Sequence, residues 1–368
     1  MPEPTELRDH GPGWAESYEL EKGRIVAALG DCTEGGVLEG IAHIGSTSIS
    51  GMAAKPCIDI AARVHPLPMP GDRVQALTRL GYDDLGEYGI PGRHYFRKEA
   101  PDVHLHVVAF DTEHWPRYLL FRDFLRTHPE AATRYERLKF ELAARFADDR
   151  QAYTDGKGPL IRELERAASL WHVRTTGFAP IEAVAGELAG LPCPWFVSSG
   201  WALDLFMGAP TRYHDDLDLG VFRDDVPALQ GHLMARGWRL HKVVEDGKYA
   251  PWLRGEALEA EVTQVHARWG GEFLDILLTP RRGDRWLYRR DEGVSLPLAR
   301  ALLHRDALIY LAPEAVLLFK SATSGKPPRR KDEEDFARVL PRLSREQRAW
   351  LRAALARRQP EHSWLGRL

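Results

Sequence analysis

The sequence predicts an α+β protein of two domains, each a small mixed sheet with flanking helices, and a helical C-terminal segment. A chain of 368 residues is too long for one core of ordinary size. A similar order of strand, turn and acid-bearing strand occurs in both halves. The helical apolar spacing of residues 161–174 ends before Gly177 and Pro180. We therefore predict two domains, residues 1–174 and 175–368.

Composition narrows the range of functions. The net charge is -3 with 44% hydrophobic and 28% charged residues, which is ordinary for a globular chain and disfavours nucleic acid as a partner. No apolar run approaches the roughly 20 residues needed to cross a bilayer, and MPEPTELRDHGPGW lacks the pattern of an export signal. Cys32, Cys57 and Cys193 show no metal-ligand spacing and receive no catalytic role. We expect a cytoplasmic protein without membrane contacts.

In the first half, GIAHIG (40–45) is typical of a strand, STSISGMAAKP of a loop with a helical turn, and CIDIAARV (57–64) of a second strand. Asp59 is the acid within that second strand. The segment DVHLHVV predicts a further strand, on which His104 and His106 share one face.

In the second half, PWFVSSG (194–200) predicts a strand, WALDLFMG a helix, and DLDLGVF a strand that carries Asp216 and Asp218 on one face. A Gly or Ser turn that opens a helix presents backbone N–H groups to a phosphate. Two adjacent carboxylates repel each other unless a cation neutralises them, and oxygen-only ligation suits Mg²⁺. The pattern therefore predicts a metal and phosphate site.

Several ordered segments of the second half resemble the aminoglycoside and lincosamide nucleotidyltransferase group of the DNA polymerase beta superfamily. They are SSGWALDLFMGAPTRYHDDLDLGVF, GGEFLDILLTP (270–280), RWLYRRDE (285–292), YLAPEAVLLFKSA (310–322) and RRKDEEDF (329–336). The resemblance implies that Asp216, Asp218 and Asp275 bind the metal and are catalytic, with Asp275 as third ligand or general base. It also implies that Ser199, Gly200 and Lys320 contact the nucleotide phosphates, although Ser199 stands where the group usually has glycine.

The first half resembles the GrpB family, itself related in fold to nucleotidyltransferases, through HIGSTSISGMAAKPCIDI (43–60) and DVHLHVV. Only Asp59 occupies the metal strand, because Ala61 is expected where a second acid would lie. We therefore predict binding of a ligand rather than two-metal chemistry. The predicted ligand site contains His43, Gly45, Ser46, Thr47, Lys55, Asp59, His104 and His106.

Some residues allow two interpretations. Lys320 contacts phosphate or extends from an apolar helix into solvent, and Arg212 and His214 orient a substrate or hold the loop. Asp332 and Asp335 are expected at a solvated helix start, and Asp215 is expected to be dispensable. A further group of acids lines a site for a cationic acceptor or faces water: Glu256, Glu259, Glu261 and Glu272.

The function favoured by the sequence is Mg²⁺-dependent transfer of a nucleoside monophosphate to a hydroxyl of a small molecule. We expect the donor to be ATP, which gives AMP, or another NTP. The resemblance implies that the acceptor is an aminoglycoside- or lincosamide-like compound. One alternative is a non-catalytic nucleotide- or metabolite-binding regulatory protein with a GrpB-like sensor or interaction domain. Another alternative is a nucleotidyltransferase whose acceptor is a protein side chain or the end of a nucleic acid. The near-neutral net charge disfavours the nucleic acid acceptor.

Overall fold

The computed structural model describes residues 7–31, 36–110, 112–244, 248–269, 272–321 and 327–368. The chain divides into two compact units, Met1–His172 and Val173–Leu368, close to the boundary predicted after residue 174. Each unit has a hydrophobic core of its own. Among the described residues, none of the helices combines the length and apolar character needed to span a bilayer.

In the described part of the first unit, one mixed sheet is flanked by helices. The strands are β1 (Leu38–Ile44), β2 (Ile58–Val64), β3 (Asp83–Asp84), β4 (Arg93–Lys98) and β5 (Val103–Ala109), in the sheet order β1-β2-β5-β4-β3. The helices are α1 (Gly13–Leu29), α2 (Gly71–Arg79), α3 (His114–Thr127), α4 (Pro129–Arg145) and α5 (Arg150–Thr176). Strands β2 and β5 are parallel, and the other pairs are antiparallel.

Alternation along β2 and β5 separates the apolar core of this unit from its polar face. The core receives Ile58, Ile60, Ala62 and Val64 of β2, with Val103, Leu105 and Val107 of β5. The residues between them point to the opposite face. The parallel register sets Asp59 beside His104 and Ala61 beside His106. The acid and both imidazoles therefore share one face of the sheet.

In the described part of the second unit, a larger mixed sheet is accompanied by a three-stranded one. The strands are β6 (Trp195–Val197), β7 (Asp218–Phe222), β8 (Arg239–Val243), β9 (Tyr249–Pro251), β10 (Gln264–Trp269), β11 (Glu272–Thr279), β12 (Arg281–Arg282), β13 (Arg285–Leu287), β14 (Ser295–Pro297), β15 (Leu302–Arg305) and β16 (Leu308–Leu311). The helices are α6 (Ala179–Glu187), α7 (Ser199–Met207), α8 (Val226–Ala235), α9 (Leu298–Ala301), α10 (Pro313–Lys320), α11 (Arg330–Val339) and α12 (Arg345–Arg358).

The larger sheet has eight strands, in the order β15-β16-β6-β7-β11-β10-β8-β9, more than the small sheet expected, and the three-stranded sheet is β12-β13-β14. Helices α10 to α12 form the helical C-terminal segment. A capping box, in which Ser344 and Gln347 satisfy each other's backbone N–H groups, begins α12. The predicted α+β class with mixed sheets is confirmed.

The two units share a local layout of three strands. In the first, β1 pairs antiparallel with β2, which pairs parallel with β5; in the second, β6, β7 and β11 repeat that arrangement. The registers place Asp59 beside His104 and Asp218 beside Asp275. Each first strand is followed by a residue with positive φ, Gly45 at 68° and Ser199 at 50°.

By this register, Asp59 corresponds to Asp218. Cys57, two residues earlier, then corresponds to Asp216, and Ala61 corresponds to Gly220. The prediction that Ala61 takes the place of the second acid is therefore wrong. Strand pairing, rather than the order of acids along the sequence, fixes which residues correspond.

We predict opposite effects on stability for two Gly→Ala substitutions in the second unit. A Cβ at Gly220 would overlap the buried ring of Phe196, its partner across β6 and β7, so Gly220→Ala should lower the free energy of unfolding by about 1–3 kcal/mol. Gly231 is exposed within α8 with open space around it, and Gly231→Ala should raise the value by up to about 1 kcal/mol. Denaturant unfolding measures both, and a neutral Gly220→Ala would contradict the tight contact.

Candidate active site

A pocket of about 340 Å³ in the second unit collects side chains from separate parts of the chain. It lies where the turn before α7, the acidic segment before β7, strand β11 and the end of α10 meet. The residues predicted from the sequence as catalytic, metal-binding or nucleotide-binding all line it: Asp216, Asp218, Asp275, Ser199, Gly200 and Lys320. Their chemical roles stay predictions.

Asp218 and Asp275 are neighbours across the parallel strands β7 and β11. Burial, together with the negative charge of Asp216, raises the pKa of Asp218 to about 6. The hydrogen bond from Ser199 acts in the opposite direction. Burial and then the charge of Asp218 raise the pKa of Asp275 well above its usual range. Asp275 Oδ1 is buried and has no hydrogen-bond partner among the described residues. Such an excess of buried carboxylate oxygen fits a hard cation such as Mg²⁺.

The position of Asp216 differs from the prediction. Strand β7 begins at Asp218, so Asp216 lies in a bend before the strand rather than within it. The indole Nε1–H of Trp201 donates a hydrogen bond to the Asp216 carbonyl over 3.0 Å and fixes that bend. Asp215 lies in the same bend and also lines the pocket. The acids still converge because the bend turns them toward β11.

The turn between β6 and α7 brings backbone close to the acids. Ser199, the first residue of α7, has a φ of 50°, and its side chain hydrogen-bonds Asp218. A Cβ on Gly200 would collide with the His214 ring and the Arg212 guanidinium, so glycine is required there by close approach. Ser199 and Gly200 line the pocket at the start of α7, where the first N–H groups of a helix have no partner within the helix.

Lys320 is neither extended into solvent nor a free phosphate ligand. Its buried Nζ lies 2.7 Å from Asp332 Oδ1 and 3.0 Å from Asp335 Oδ2. Both acids are only 2% exposed, so the expectation of a solvated helix start at these positions is wrong. Their aspartate side chains turn inward because they meet Lys320 there. Lys320 borders the pocket as part of an ion-pair cluster.

Arg212 and His214 both hold the loop that carries the acids. Arg212 Nε lies 3.1 Å from Asp335 Oδ1, and His214 Nε2 lies 2.6 Å from Asp204 Oδ2 in a buried pair. Burial alone would lower the pKa of Arg212, but the hydrogen bonds that Arg212 donates to Asp335 and the negative charges of nearby aspartates raise it. The second of the two interpretations is thus supported for both residues, although both also touch the pocket.

Several lining residues were not assigned from the sequence, among them Gln264, Arg289 and Arg290. Gln264 Nε2 donates a hydrogen bond of 2.6 Å to Asp275 Oδ2 from the neighbouring strand β10. Arg289 donates to the Thr263 carbonyl and Arg290 to the Phe319 carbonyl, each over 3.1 Å. The paired arginines in RWLYRRDE were a visible signal, whereas Gln264 gave none because its partner lies on another strand.

Of the acids considered for a cationic acceptor, the three whose side chains are described, Glu256, Glu259 and Glu261, do not line this pocket. Glu256 and Glu259 pair with Lys242 at 2.7 and 3.0 Å, and Glu261 is exposed. The side chain of Glu272 lies outside the described part of the chain. For these three glutamates, the structure favours a surface position over a role in binding a cationic acceptor.

In the first unit, the predicted residues of the polar sheet face come together around Asp59. His104 Nδ1 lies 3.2 Å and His106 Nε2 3.6 Å from Asp59 Oδ1. Burial alone would raise the pKa of Asp59, but the hydrogen bonds from both histidines lower it below its ordinary value. Burial lowers the pKa of His106. Gly45 lies so close to the Asp59 carboxylate that a Cβ would overlap it.

The other predicted residues of the first unit surround the turn after β1. His43 Nε2 lies 3.0 Å from Thr47 Oγ1, and burial lowers the His43 pKa to about 4. The Ser46 side chain hydrogen-bonds Tyr135. The Lys55 ammonium lies 4.4 Å from the centre of the Tyr153 ring.

Family models match both halves of the chain. The GrpB protein model matches residues 4–167, and the aminoglycoside-2''-adenylyltransferase model matches residues 181–250. Both resemblances drawn from the sequence are confirmed at the level of family.

Curated relatives match the first half. The UPF0157 protein YqkA of Bacillus subtilis is 38% identical over 160 residues, 43% of this chain and 45% of that protein. The UPF0157 protein SCO7215 of Streptomyces coelicolor is 35% identical over 44% of this chain and 83% of its own length. The chain belongs to the GrpB family, although it spans less than half the length of YqkA.

Two solved structures are similar to separate parts of the chain. GrpB from Enterococcus faecalis is 32% identical, covering 44% of this chain and 96% of that one, with a TM-score of 0.41. ANT(2")-Ia in complex with adenylyl-2"-tobramycin is 16% identical, covering 49% of this chain and 97% of that one, with a TM-score of 0.35.

We predict that Asp218→Asn stabilises the metal-free protein above about pH 6. The pKa of Asp218 is near 6 in the folded chain against an ordinary 3.8, so the unfolded chain loses this proton first as pH rises. The wild-type free energy of unfolding should therefore fall between about pH 4 and pH 6 relative to the variant, by on the order of 2 kcal/mol. Unfolding in a chelator at several pH values measures this.

Asp284→Asn, at an exposed turn between β12 and β13, provides the control and should follow the wild-type curve. Parallel wild-type and Asp218→Asn curves across the window would contradict the raised pKa of Asp218.

Proposed function

We propose that the second unit is a Mg²⁺-dependent nucleotidyltransferase that transfers a nucleoside monophosphate, AMP from ATP, to a hydroxyl of a small molecule. The observation that carries the proposal is the convergence of Asp216, Asp218 and Asp275 in one pocket with several cationic side chains. The match to the aminoglycoside-2''-adenylyltransferase model supports an aminoglycoside-like acceptor, and the sequence resemblance also admits a lincosamide. We place the nucleotide and the acceptor in this same pocket.

The carboxylates of Asp216, Asp218 and Asp275 would hold Mg²⁺. When bound, the ion supplies positive charge that polarises the phosphates and neutralises charge developing during transfer. The raised pKa values of Asp218 and Asp275 support this assignment, because their repulsion is relieved by a cation.

The cationic side of the pocket suits the triphosphate. Arg289, Arg290 and Lys331 line the same pocket as the acids, and the Ser199–Gly200 backbone at the start of α7 would offer N–H donors. Lys320 is engaged by Asp332 and Asp335, so we assign it to positioning α10 and adding positive potential rather than to direct phosphate contact. The turn and the arginines would orient the leaving pyrophosphate.

In the proposed reaction, the acceptor hydroxyl oxygen forms a bond to the α-phosphorus while the bond from that phosphorus to the pyrophosphate oxygen breaks. The hydroxyl proton passes to Asp275, whose carboxylate is held by Gln264.

The first prediction for this function concerns turnover. With Mg²⁺, ATP and a panel of aminoglycosides and lincosamides, the protein should release pyrophosphate and form a nucleotidyl adduct. Asp216→Asn and Asp275→Asn should lower kcat/KM by at least about 10²-fold, because several kcal/mol of charge stabilisation or proton transfer is lost. Pyrophosphate release and mass spectrometry of the acceptor measure the effect.

Asp284→Asn should keep wild-type activity. Parallel arms with GTP, CTP and UTP identify the nucleotide, and cell extract tests protein or nucleic acid acceptors. Nucleotide binding without pyrophosphate in every arm would instead establish the non-catalytic alternative, and unchanged release by Asp216→Asn would refute the assigned site.

The second prediction concerns Gln264 as a positioning residue. Its N–H stabilises the charged form of Asp275, so Gln264→Met should raise the pKa of Asp275 and move the acidic limb of the kcat/KM profile upward by about one pH unit. The maximal rate should fall less than in Asp275→Asn. A lower rate with an unshifted profile would assign Gln264 to packing alone.

A further inference from the structure

We propose that the first unit contains a binding site for a thiophilic transition metal such as Zn²⁺, with Cys57, Asp102 and His104 as its protein ligands. One ligand atom of each residue lies within 4.8 Å of the other two. The site is distinct from the carboxylate pocket of the second unit and does not depend on the function proposed there.

Strand pairing brings these residues together. Cys57 immediately precedes β2 and Asp102 immediately precedes β5, and the two strands are parallel. The Ile58 N–H donates to the Asp102 carbonyl over 2.9 Å, so the register of the strands continues to this pair. By alternation, Cys57 and Asp102 lie on the same face as Asp59 and His104.

The separation of His104 and Asp102 suits two ligands of one ion. His104 Nε2 lies 3.7 Å from Asp102 Oδ1, too long for a hydrogen bond. Ligand atoms around a tetrahedral Zn²⁺ with bonds of about 2.0–2.3 Å are roughly 3.3–3.8 Å apart. Asp102 Oδ1 is buried and has no hydrogen-bond partner among the described residues, and Arg97 Nε is 3.9 Å away. A metal ion would satisfy this oxygen.

The orientation of His104 also fits metal binding. Its Nδ1 lies 3.2 Å from Asp59 Oδ1, so an Nδ1–H would donate to that carboxylate and leave Nε2 as the ligand atom. A carboxylate on the far nitrogen is the usual arrangement behind a metal-binding histidine. Asp59 therefore acts as a positioning residue, and its close contact with Gly45 fixes it.

The donor atoms determine which metal is expected. Thiolate, imidazole and carboxylate together favour Zn²⁺ over Mg²⁺, which prefers oxygen alone. Three protein ligands leave a fourth position of a tetrahedral ion for water or a small ligand. By register, Cys57 and His104 occupy the places that Asp216 and Asp275 hold in the second unit. The first unit thus has a softer donor set on the same framework.

Cobalt titration of the full chain tests the proposal, because Co²⁺ substitutes for Zn²⁺ and a thiolate–Co²⁺ bond gives a near-ultraviolet charge-transfer band. The chelator-treated protein should show this band with one equivalent of Co²⁺, and Zn²⁺ should abolish it. Cys57→Ser should lose the band, and Asp59→Asn should weaken Co²⁺ binding by about 10- to 100-fold. Cys193→Ser should leave band and affinity unchanged.

The thiolate charge-transfer band also distinguishes Co²⁺ at the Cys57 site from Co²⁺ bound elsewhere in the protein. Oxygen ligation at the second-unit pocket gives no thiolate band, so Asp216→Asn should keep the full signal. His104→Gln, checked by circular dichroism, provides a second test if Cys57→Ser fails to fold, and it should reduce the affinity at least tenfold. Absence of the band in the wild type, or its persistence without loss of affinity in folded Cys57→Ser or His104→Gln, would overturn the proposal.

Discussion

The parallel pairing of β7 with β11 is the constraint on which the candidate active site depends. It sets Asp218 directly beside Asp275 while the intervening residues, such as Leu219 and Ile276, enter the core. Burial of those apolar side chains stabilises the sheet, at about 25 cal/mol per Å² of apolar surface removed from water. The carboxylates are therefore held together on one face of the sheet by strands that are stabilised by apolar packing on the other face. Their mutual repulsion is a local cost that this packing offsets.

An ion-pair cluster at the border of the pocket contributes to the position of the acid-bearing loop rather than to the stability of the sheet. In this cluster, Lys320 of α10 pairs with Asp332 and Asp335 of α11. Asp335 also pairs with Arg212, which lies in the loop before the acids. Buried ion pairs add little net stability, because desolvation of the charges offsets their attraction. Their geometry is specific, however, since a displaced partner leaves a buried charge uncompensated. The cluster therefore favours one position of the acid-bearing loop.

The sequence was sufficient where the chemistry is local. The turn before α7, Asp216 and Asp218 lie within one short segment, and Asp275 lies in the apolar run of GGEFLDILLTP. Gln264 and the partners of Lys320 could not be predicted, because each contact joins segments that no local pattern relates. The correspondence of Cys57 with Asp216 also required the register, since the two intervening loops differ in length. Sequence patterns identify the side chains that could bind a metal, and strand pairing determines which of them lie close together.

The comparison of the two units separates the effect of backbone from that of side chains. Both have an antiparallel strand pair extended by a parallel strand, with a positive-φ residue after the first strand. At equivalent positions, one unit presents Asp216 and Asp275 and the other Cys57 and His104. Hard oxygen donors and softer sulfur and nitrogen donors select different cations. Under the two proposals, the choice of metal follows the donor atoms rather than the backbone, so one framework would carry a Mg²⁺ site in the second unit and a Zn²⁺ site in the first.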